Sequence, residues 1–162
     1  MRILGIDPGT GILGFGVIDV TKRQMALVDA GVIKTNSKDS DAIRLKTIYD
    51  DLKTIIDENQ PDQLSIEKLF FSQNVTTGMT VSQARGVVLL LAAQYNLTVF
   101  EYTPLQIKLT ITGYGRAEKK QIQMMVKKFL KLNYTPKPDD CADALAAAIT
   151  HIITNRWLFM LT

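Results

Sequence analysis

Apolar and polar positions alternate along the chain with two periods, one suited to strands and one to helices. Ile3, Leu4 and Ile6 form an apolar run that ends on the carboxylate of Asp7 and breaks at Pro8 and Gly9. A buried strand that delivers one acid to the rim of a sheet has this pattern. Ile12 to Asp19 predicts a second strand, because Ile12, Leu13, Phe15, Val17 and Ile18 are apolar and the interleaved Gly11, Gly14 and Gly16 argue against a helix. Gln24 to Lys34 predicts a third, and the short polar turn Val20 to Arg23 makes the two an antiparallel pair.

Helical spacing begins after the polar segment Thr35 to Asp41, where Ser37, Asp39 and Ser40 are candidate N-caps. Leu45, Ile48, Tyr49, Leu52, Ile55 and Ile56 then recur every three or four residues before Pro61, as on the apolar stripe of an amphipathic helix. Gln63 to Glu67 is a short alternating strand that, like the first, terminates in an acid. Lys68 to Asn74 reads as a loop, followed by a long helix from Val75 to Tyr95 that is apolar on nearly every face between Val87 and Ala93 and so needs cover all round. Gly78, Ala84 and Gly86 give that helix a smooth face, which predicts pairing with a second copy of the chain. Thr98 to Tyr102 is a fifth strand, Thr103 to Thr112 holds a short helix, and Ala117 to Leu132 is an amphipathic helix with its lysines outward. An alanine-rich helix from Asp139 to Asn155 comes last.

With the short helix set aside, the order β-β-β-α-β-α-β-α-α predicts an α/β fold: a five-stranded mixed sheet, an antiparallel meander at one edge and helices on both faces. The 162 residues fit a single domain spanning 1–162, with no linker or repeat, and a hydrophobic fraction of 46% is enough for a substantial core. The single cysteine, Cys141, excludes an internal disulfide framework and a Cys-rich zinc site. The longest apolar run, Val87 to Ala93, has seven residues, against the ~20 needed to cross a bilayer. The first residues lack the apolar core and small-residue cleavage site of a secretory signal, and a cytoplasmic location is expected.

Charge changes the picture only when divided along the chain. Lys108, Arg116, Lys119, Lys120, Lys127, Lys128 and Lys131 face one acid, Glu118, between residues 108 and 131, giving +6 there and −3 elsewhere for a net +3. A concentrated positive region can neutralise phosphates, which points to nucleic acid; a solvated lysine-rich helix face has the same composition.

Asp140 and Asp143 stand three apart at the start of the last helix, so they share a face, and the helix N-terminus favours their ionised forms. Either Asp139 or Asp140 alone would serve as an N-cap. Convergence of Asp7, Glu67, Asp140 and Asp143 would crowd four like charges and call for a bound cation. Oxygen donors without His or Cys favour Mg²⁺ or Mn²⁺ over zinc. Two such ions ~4 Å apart can activate a water and stabilise the leaving oxygen of a phosphodiester, so the chemistry expected is hydrolysis of a nucleic-acid strand.

Five segments carry a resemblance: Ile-Asp-Pro-Gly-Thr at 6–10, Ser-Ile-Glu-Lys-Leu-Phe at 65–70, Gln-Ala-Arg-Gly at 83–86, Gly-Arg-Ala-Glu-Lys at 115–119 and Asp-Cys-Ala-Asp-Ala-Leu-Ala at 140–146. In order and spacing they resemble the RuvC family of Holliday junction resolvases over nearly the whole chain. The resemblance implies a ribonuclease H-like fold and a homodimeric, Mg²⁺-dependent endonuclease of DNA recombination and repair. Its two sites would nick strands of like polarity symmetrically across a four-way junction, with two ions per site. It assigns metal binding to Asp7, Glu67, Asp140 and Asp143, base stacking to Phe70 in a DNA-facing loop, and phosphate contact to Lys108 and Lys119, the latter with a catalytic part. Arg116 and Lys120 lie beside matched positions, as does Leu69; they widen the positive surface and bear on base preference, and other branched DNAs are plausible substrates. Branch-migration proteins are candidate partners. Arg85 is expected at the helix-pairing surface and His151 in the core. The sequence closes soon after the last helix without the basic tail of many family members, so tail-dependent DNA contacts are not expected. Two rivals make different demands: a non-catalytic junction-binding protein would lack at least one acid, and an actin-like ATPase or sugar kinase, whose first phosphate loop Gly-Ile-Asp-Pro-Gly-Thr resembles, would need a second loop and a second domain.

Overall fold

A computed structural model describes residues 1–22, 24–68 and 75–155, the side chains of 75–77 excepted. The elements are β1 (Arg2–Asp7), β2 (Ile12–Thr21), β3 (Gln24–Lys34), α1 (Asp41–Asn59), β4 (Gln63–Glu67), α2 (Val75–Gln94), β5 (Thr98–Tyr102), α3 (Pro104–Thr112), α4 (Lys119–Phe129) and α5 (Asp139–Thr154). One five-stranded sheet has the order β3-β2-β1-β4-β5. The pairs β1–β2 and β2–β3 are antiparallel, whereas β1–β4 and β4–β5 are parallel, giving the mixed sheet with a meander at one edge that the sequence predicts. The short segment at 104–112 is a helix: Pro104 opens it, Thr103 and Gln106 form a reciprocal capping box, and Gly113 closes it at φ 75°.

Two-residue alternation divides the strands between two cores. Leu4, Ile6, Leu13, Phe15, Val17, Leu64 and Ile66 face Ile48, Leu52 and Ile56 of α1 and Ala84, Val88 and Leu91 of α2. The intervening positions face α5, over which α3 and α4 pack. Ser40 caps α1, accepting from the Ile43 N–H, so of the three candidate caps it is the one used. For α4 the expected start at Ala117 is two residues early, because Glu118 is the N-cap and its box with Gln121 sets the first turn at Lys119. Neither Asp139 nor Asp140 caps α5; Pro138 holds the N-cap position and both acids belong to the first turn.

The smooth face expected on α2 needs one correction. Ala84 is fully buried in the core with Val88 and Leu91. The outward stripe consists of Met79 and Leu90, 60% and 53% exposed, with Gly86 between them, where a Cβ would meet nothing. Among the described residues no helix is long and apolar enough to cross a membrane.

Helix α5 lies against the sheet more closely than ordinary side chains permit. A Cβ on Gly5 of β1 would collide with the Ala144 carbonyl, and one on Gly14 of β2 with the Asp140 carbonyl. On the helix side Ala144, Ala147 and Ala148 are fully buried. Glycine is required at these two strand positions by the approach of another backbone. The helix also tracks β4. Ser65 Oγ donates to the Ala147 carbonyl at 2.7 Å, and Gln63 Oε1 lies 2.7 Å from Nε2 of His151, one helical turn further on. Two residues of strand rise ~6.6 Å and four of helix ~6 Å, so the two ladders stay in step. His151 is fully buried, with Tyr102 and Asn155 on Nδ1 at 2.8 and 3.0 Å, and burial pushes its pKa down to about 4. It is a core residue, as expected.

Replacing Gly14 by alanine forces α5 off the sheet. We expect Gly14→Ala to cost about 3 kcal/mol or more, read as a fall in denaturant midpoint. A stability equal to that of the parent would contradict the close contact.

Candidate active site

Two parallel strands end side by side in carboxylates. The register pairs Ile6 with Ile66, so Asp7 and Glu67, each the last residue of its strand, are neighbours. Both take the same parity as Gly5 and Ser65, which face α5. The first turns of α5 bring in Asp143, one turn before the Ala147 carbonyl that holds Ser65. A cavity of about 320 Å³ opens there, lined by Asp7, Glu67, Asp143, Lys108 and Lys119 and walled by Pro104, Ile107 and Ile122.

The charges in this cavity are crowded and partly dried. Burial, then Asp143, Glu67 and Asp140 in turn, push Asp7 up to about 8. Glu67 is raised by burial and by Asp143, against the pull of Lys108 and Lys119. Asp143 is also raised by burial, although Lys119 Nζ donates to its Oδ2 at 3.2 Å and opposes the rise; the same bond raises Lys119. A folded-state pKa above the ordinary carboxylate value means that Asp7 favours the fold while protonated, and that contribution is lost as pH rises from about 4 through 8. A cation that prefers the ionised carboxylates would restore it.

All the acidic donors are carboxylate oxygens, a set that suits a hard divalent ion. Among the described residues, however, no three His, Cys, Asp or Glu side chains stand close enough together to hold one as placed. The carboxylates are gathered at the rim of one cavity but held apart, with Lys119 as the internal counter-charge.

The sequence candidates divide accordingly. Asp7, Glu67, Asp143, Lys108 and Lys119 line the cavity. Asp140 is half-buried one turn earlier on α5 and acts on Asp7 and Asp143 through its charge, but it does not line the cavity. Arg116 and Lys120 are exposed beside α4's first turn and do not line it either. Phe70, with Leu69, lies outside the described residues. Arg85 is bonded to Glu101 of β5. Three residues that the sequence did not single out, Pro104, Ile107 and Ile122, form the apolar wall. Their spacing is that of any core-facing helix, so no local signal separates them from ordinary packing.

A family model described as crossover junction endodeoxyribonuclease RuvC matches residues 3–151. A RuvC crossover junction endodeoxyribonuclease of Fusobacterium nucleatum is 53% identical, covering 94% of this chain and 80% of its own. One from Pseudothermotoga lettingae is 51% identical over 97% of this chain and 99% of its own. A Thermus thermophilus RuvC solved in complex with a Holliday junction substrate superposes with a TM-score of 0.92 at 32% identity, covering 98% of this chain and 97% of that one.

The Lys119 contact makes a measurable claim about the cavity. In the protein without divalent cations, the Asp7 carboxyl carbon should titrate near pH 8 by NMR. Because Lys119 lowers Asp7, Lys119→Met should move that midpoint upward. A midpoint that stays put or falls would show that Lys119 does not offset these acids.

Proposed function

The chain belongs to the RuvC family of crossover junction endodeoxyribonucleases and has their ribonuclease H-like fold, and from that premise we propose that it resolves four-way DNA junctions by paired, symmetric phosphodiester hydrolysis at the Asp7 cavity. The observation that carries this reading is the meeting of Asp7, Glu67, Asp143, Lys108 and Lys119 around one opening, in a chain of that family. Three-way forks and other branched DNAs are further substrates of the same reading. Soluble action on DNA in the cytoplasm, with a branch-migration protein as a partner, is its cellular counterpart.

Asp7, Glu67 and Asp143, with Asp140 beside them, are the residues that would hold two Mg²⁺ ions, for which Mn²⁺ can substitute. When bound, such a pair supplies the Lewis acidity that activates water toward a phosphodiester and offsets charge on the leaving oxygen. The chain's own groups do the rest. Burial of Asp7 and Glu67 keeps competing water away from the carboxylates, so their attraction for a cation is less screened. Lys119, whose side chain is 67% exposed while its ammonium touches Asp143, can exchange that partner for a non-bridging phosphate oxygen without crossing the cavity. Lys108, also in the lining of the cavity, is a second phosphate contact in this reading. Arg116, Lys120 and the lysines of α4 extend the positive surface away from the cavity.

Symmetric cleavage needs two sites, which a homodimer supplies. The Met79–Gly86–Leu90 stripe of α2 supports pairing through that helix, since two large apolar side chains flank a position open to close approach. Phe70, which precedes α2 in the sequence, is proposed to stack on an unpaired base at the junction centre, an interaction of ~1 to 3 kcal/mol.

Asp7→Asn should lower junction cleavage by about a thousandfold or more while junction affinity stays close to the parent's, because a ligand is lost and no phosphate contact is. Four-way junctions, three-way forks and linear duplexes incubated side by side with Mg²⁺ or Mn²⁺ provide the measurement; cleavage by a pure Asp7→Asn preparation would overturn the site assignment. Phe70→Ala should reduce cleavage more than binding by about tenfold. Unchanged activity in that variant would remove Phe70 from the DNA-facing surface.

A further inference from the structure

A set of hydrogen bonds outside the cavity converges on the turn that follows Asp7. The β2–β3 ladder, which pairs Ile12 with Lys34, is carried one step further when the Thr35 N–H donates to the Gly11 carbonyl at 3.0 Å. The Thr35 hydroxyl donates to the Thr10 carbonyl at 2.6 Å and accepts from Nε of Arg44 at 2.9 Å. Arg44 lies in the first turn of α1; its side chain is 17% exposed, and its nearest carboxylate, Asp41, is 3.9 Å away. The turn itself is tight, because a Cβ on Gly9 would collide with the Ile12 carbonyl.

We propose that Thr35 and Arg44 are positioning residues for cleavage: they pin the Pro8–Thr10 turn and so keep Asp7 level with Glu67. The proposal rests on the reading of Asp7 as a site residue. Asp7 is the last paired residue of β1, opposite Gly14, so its N-terminal side is fixed by two ladders and its C-terminal side only by the turn. Thr10 is buried and its hydroxyl has no partner among the described residues, so the turn is held through the Thr10 backbone carbonyl. Three elements therefore meet at the Thr35 hydroxyl: β1 through the turn and its Thr10 carbonyl, β3 through Thr35, which directly follows it, and α1 through Arg44 Nε. Neither Thr35 nor Arg44 lines the cavity, so their influence passes through geometry. A misplacement of about 1 Å at a reacting group can cost about a hundredfold in rate. Removing the clamp should appear in kcat and not in DNA affinity.

The test compares Thr35→Val, which keeps shape and loses the hydroxyl, with Thr35→Ser, which keeps the hydroxyl. Arg44→Met and Arg44→Lys form the second pair, and Asp7→Asn is the reference. Cleavage of a four-way junction at saturating Mg²⁺, junction affinity without divalent ions and thermal midpoint are measured for each. Thr35→Val is expected to lower kcat by about tenfold to a hundredfold with affinity within about twofold of the parent, and Thr35→Ser to restore the rate. The double variant Thr35→Val with Arg44→Met should be no slower than Thr35→Val alone, since both act through one hydroxyl. Parent-like kcat in Thr35→Val, equal losses in Thr35→Ser and Thr35→Val, or loss of affinity in proportion to rate would each overturn the clamp. An inactive Asp7→Asn beside a fully active Thr35→Val would remove the clamp alone. An active Asp7→Asn would remove the site reading and the clamp with it. If Thr35→Val does not fold, Arg44→Met carries the same measurement from the helix side.

Discussion

The backbone of α5 touches the backbone of the sheet, and the rest of the structure depends on that contact. Side chains are absent from Gly5 and Gly14 because carbonyl oxygens of Ala144 and Asp140 occupy their space. The alanine run is the helix's half of the same fit: larger residues at Ala144, Ala147 or Ala148 would lift the helix away. Close approach also carries the N-terminus of α5 across the ends of β1 and β4, and so decides where Asp143 meets Asp7 and Glu67. With α5 raised by one side-chain layer, the three acids would belong to separate surfaces.

Such packing has an electrostatic consequence. Gathering carboxylates at the edge of a dry core opposes folding, and the raised Asp7 and Glu67 show by how little water shields them. The opposition is answered locally by Lys119 on Asp143 and by the charge of Lys108 on Glu67. A half-neutralised site of this kind is poised to accept positive charge, from a cation or from more of its own lysines. Sites of function commonly break the local rules that the surrounding fold obeys.

The sequence made the strands, the helices and their order legible because each apolar run was bounded by a clear stop: Pro8–Gly9, Pro61, the cap at Ser40. It also made Asp7 and Glu67 legible, since an acid closing an apolar strand is conspicuous. What it could not show were contacts made by backbone. The glycines of β2 read only as an argument against helix, while Gly14 is where Asp140's carbonyl sits. Ala84 read as part of a pairing face because a helix apolar on nearly every side does not show that the face Ala84 shares with Val88 and Leu91 is the one turned to the core. Asp139 or Asp140 alone could serve as an N-cap by sequence, yet Pro138 holds that position and Asp139 is engaged by Gln123 of α4 at 2.8 Å. Pro104, Ile107 and Ile122 were invisible as cavity walls, since a wall and a core are built from the same residues. The RuvC-like motifs pointed to the acids as a set, and the fold then separated them by position: three around the cavity and Asp140 one turn behind.

A surface made of alanine and glycine fits closely but specifies register poorly, because one helical turn of sliding, ~5.4 Å, would present nearly the same small residues to the sheet. The polar contacts along β4 remove that ambiguity. Ser65 is fully buried and donates to the Ala147 carbonyl; His151 is fully buried and finds Gln63 on one side and Tyr102 on the other. A slide by one turn would offer Ser65 another main-chain carbonyl but would strand His151 and its partners Gln63 and Tyr102, and each buried polar group left unpaired costs ~1 to 3 kcal/mol. Several such penalties together outweigh any register preference that alanine packing alone provides. His151, which lies outside the lining of the cavity, is therefore what sets Asp143 level with Asp7 and Glu67 at the other end of the helix.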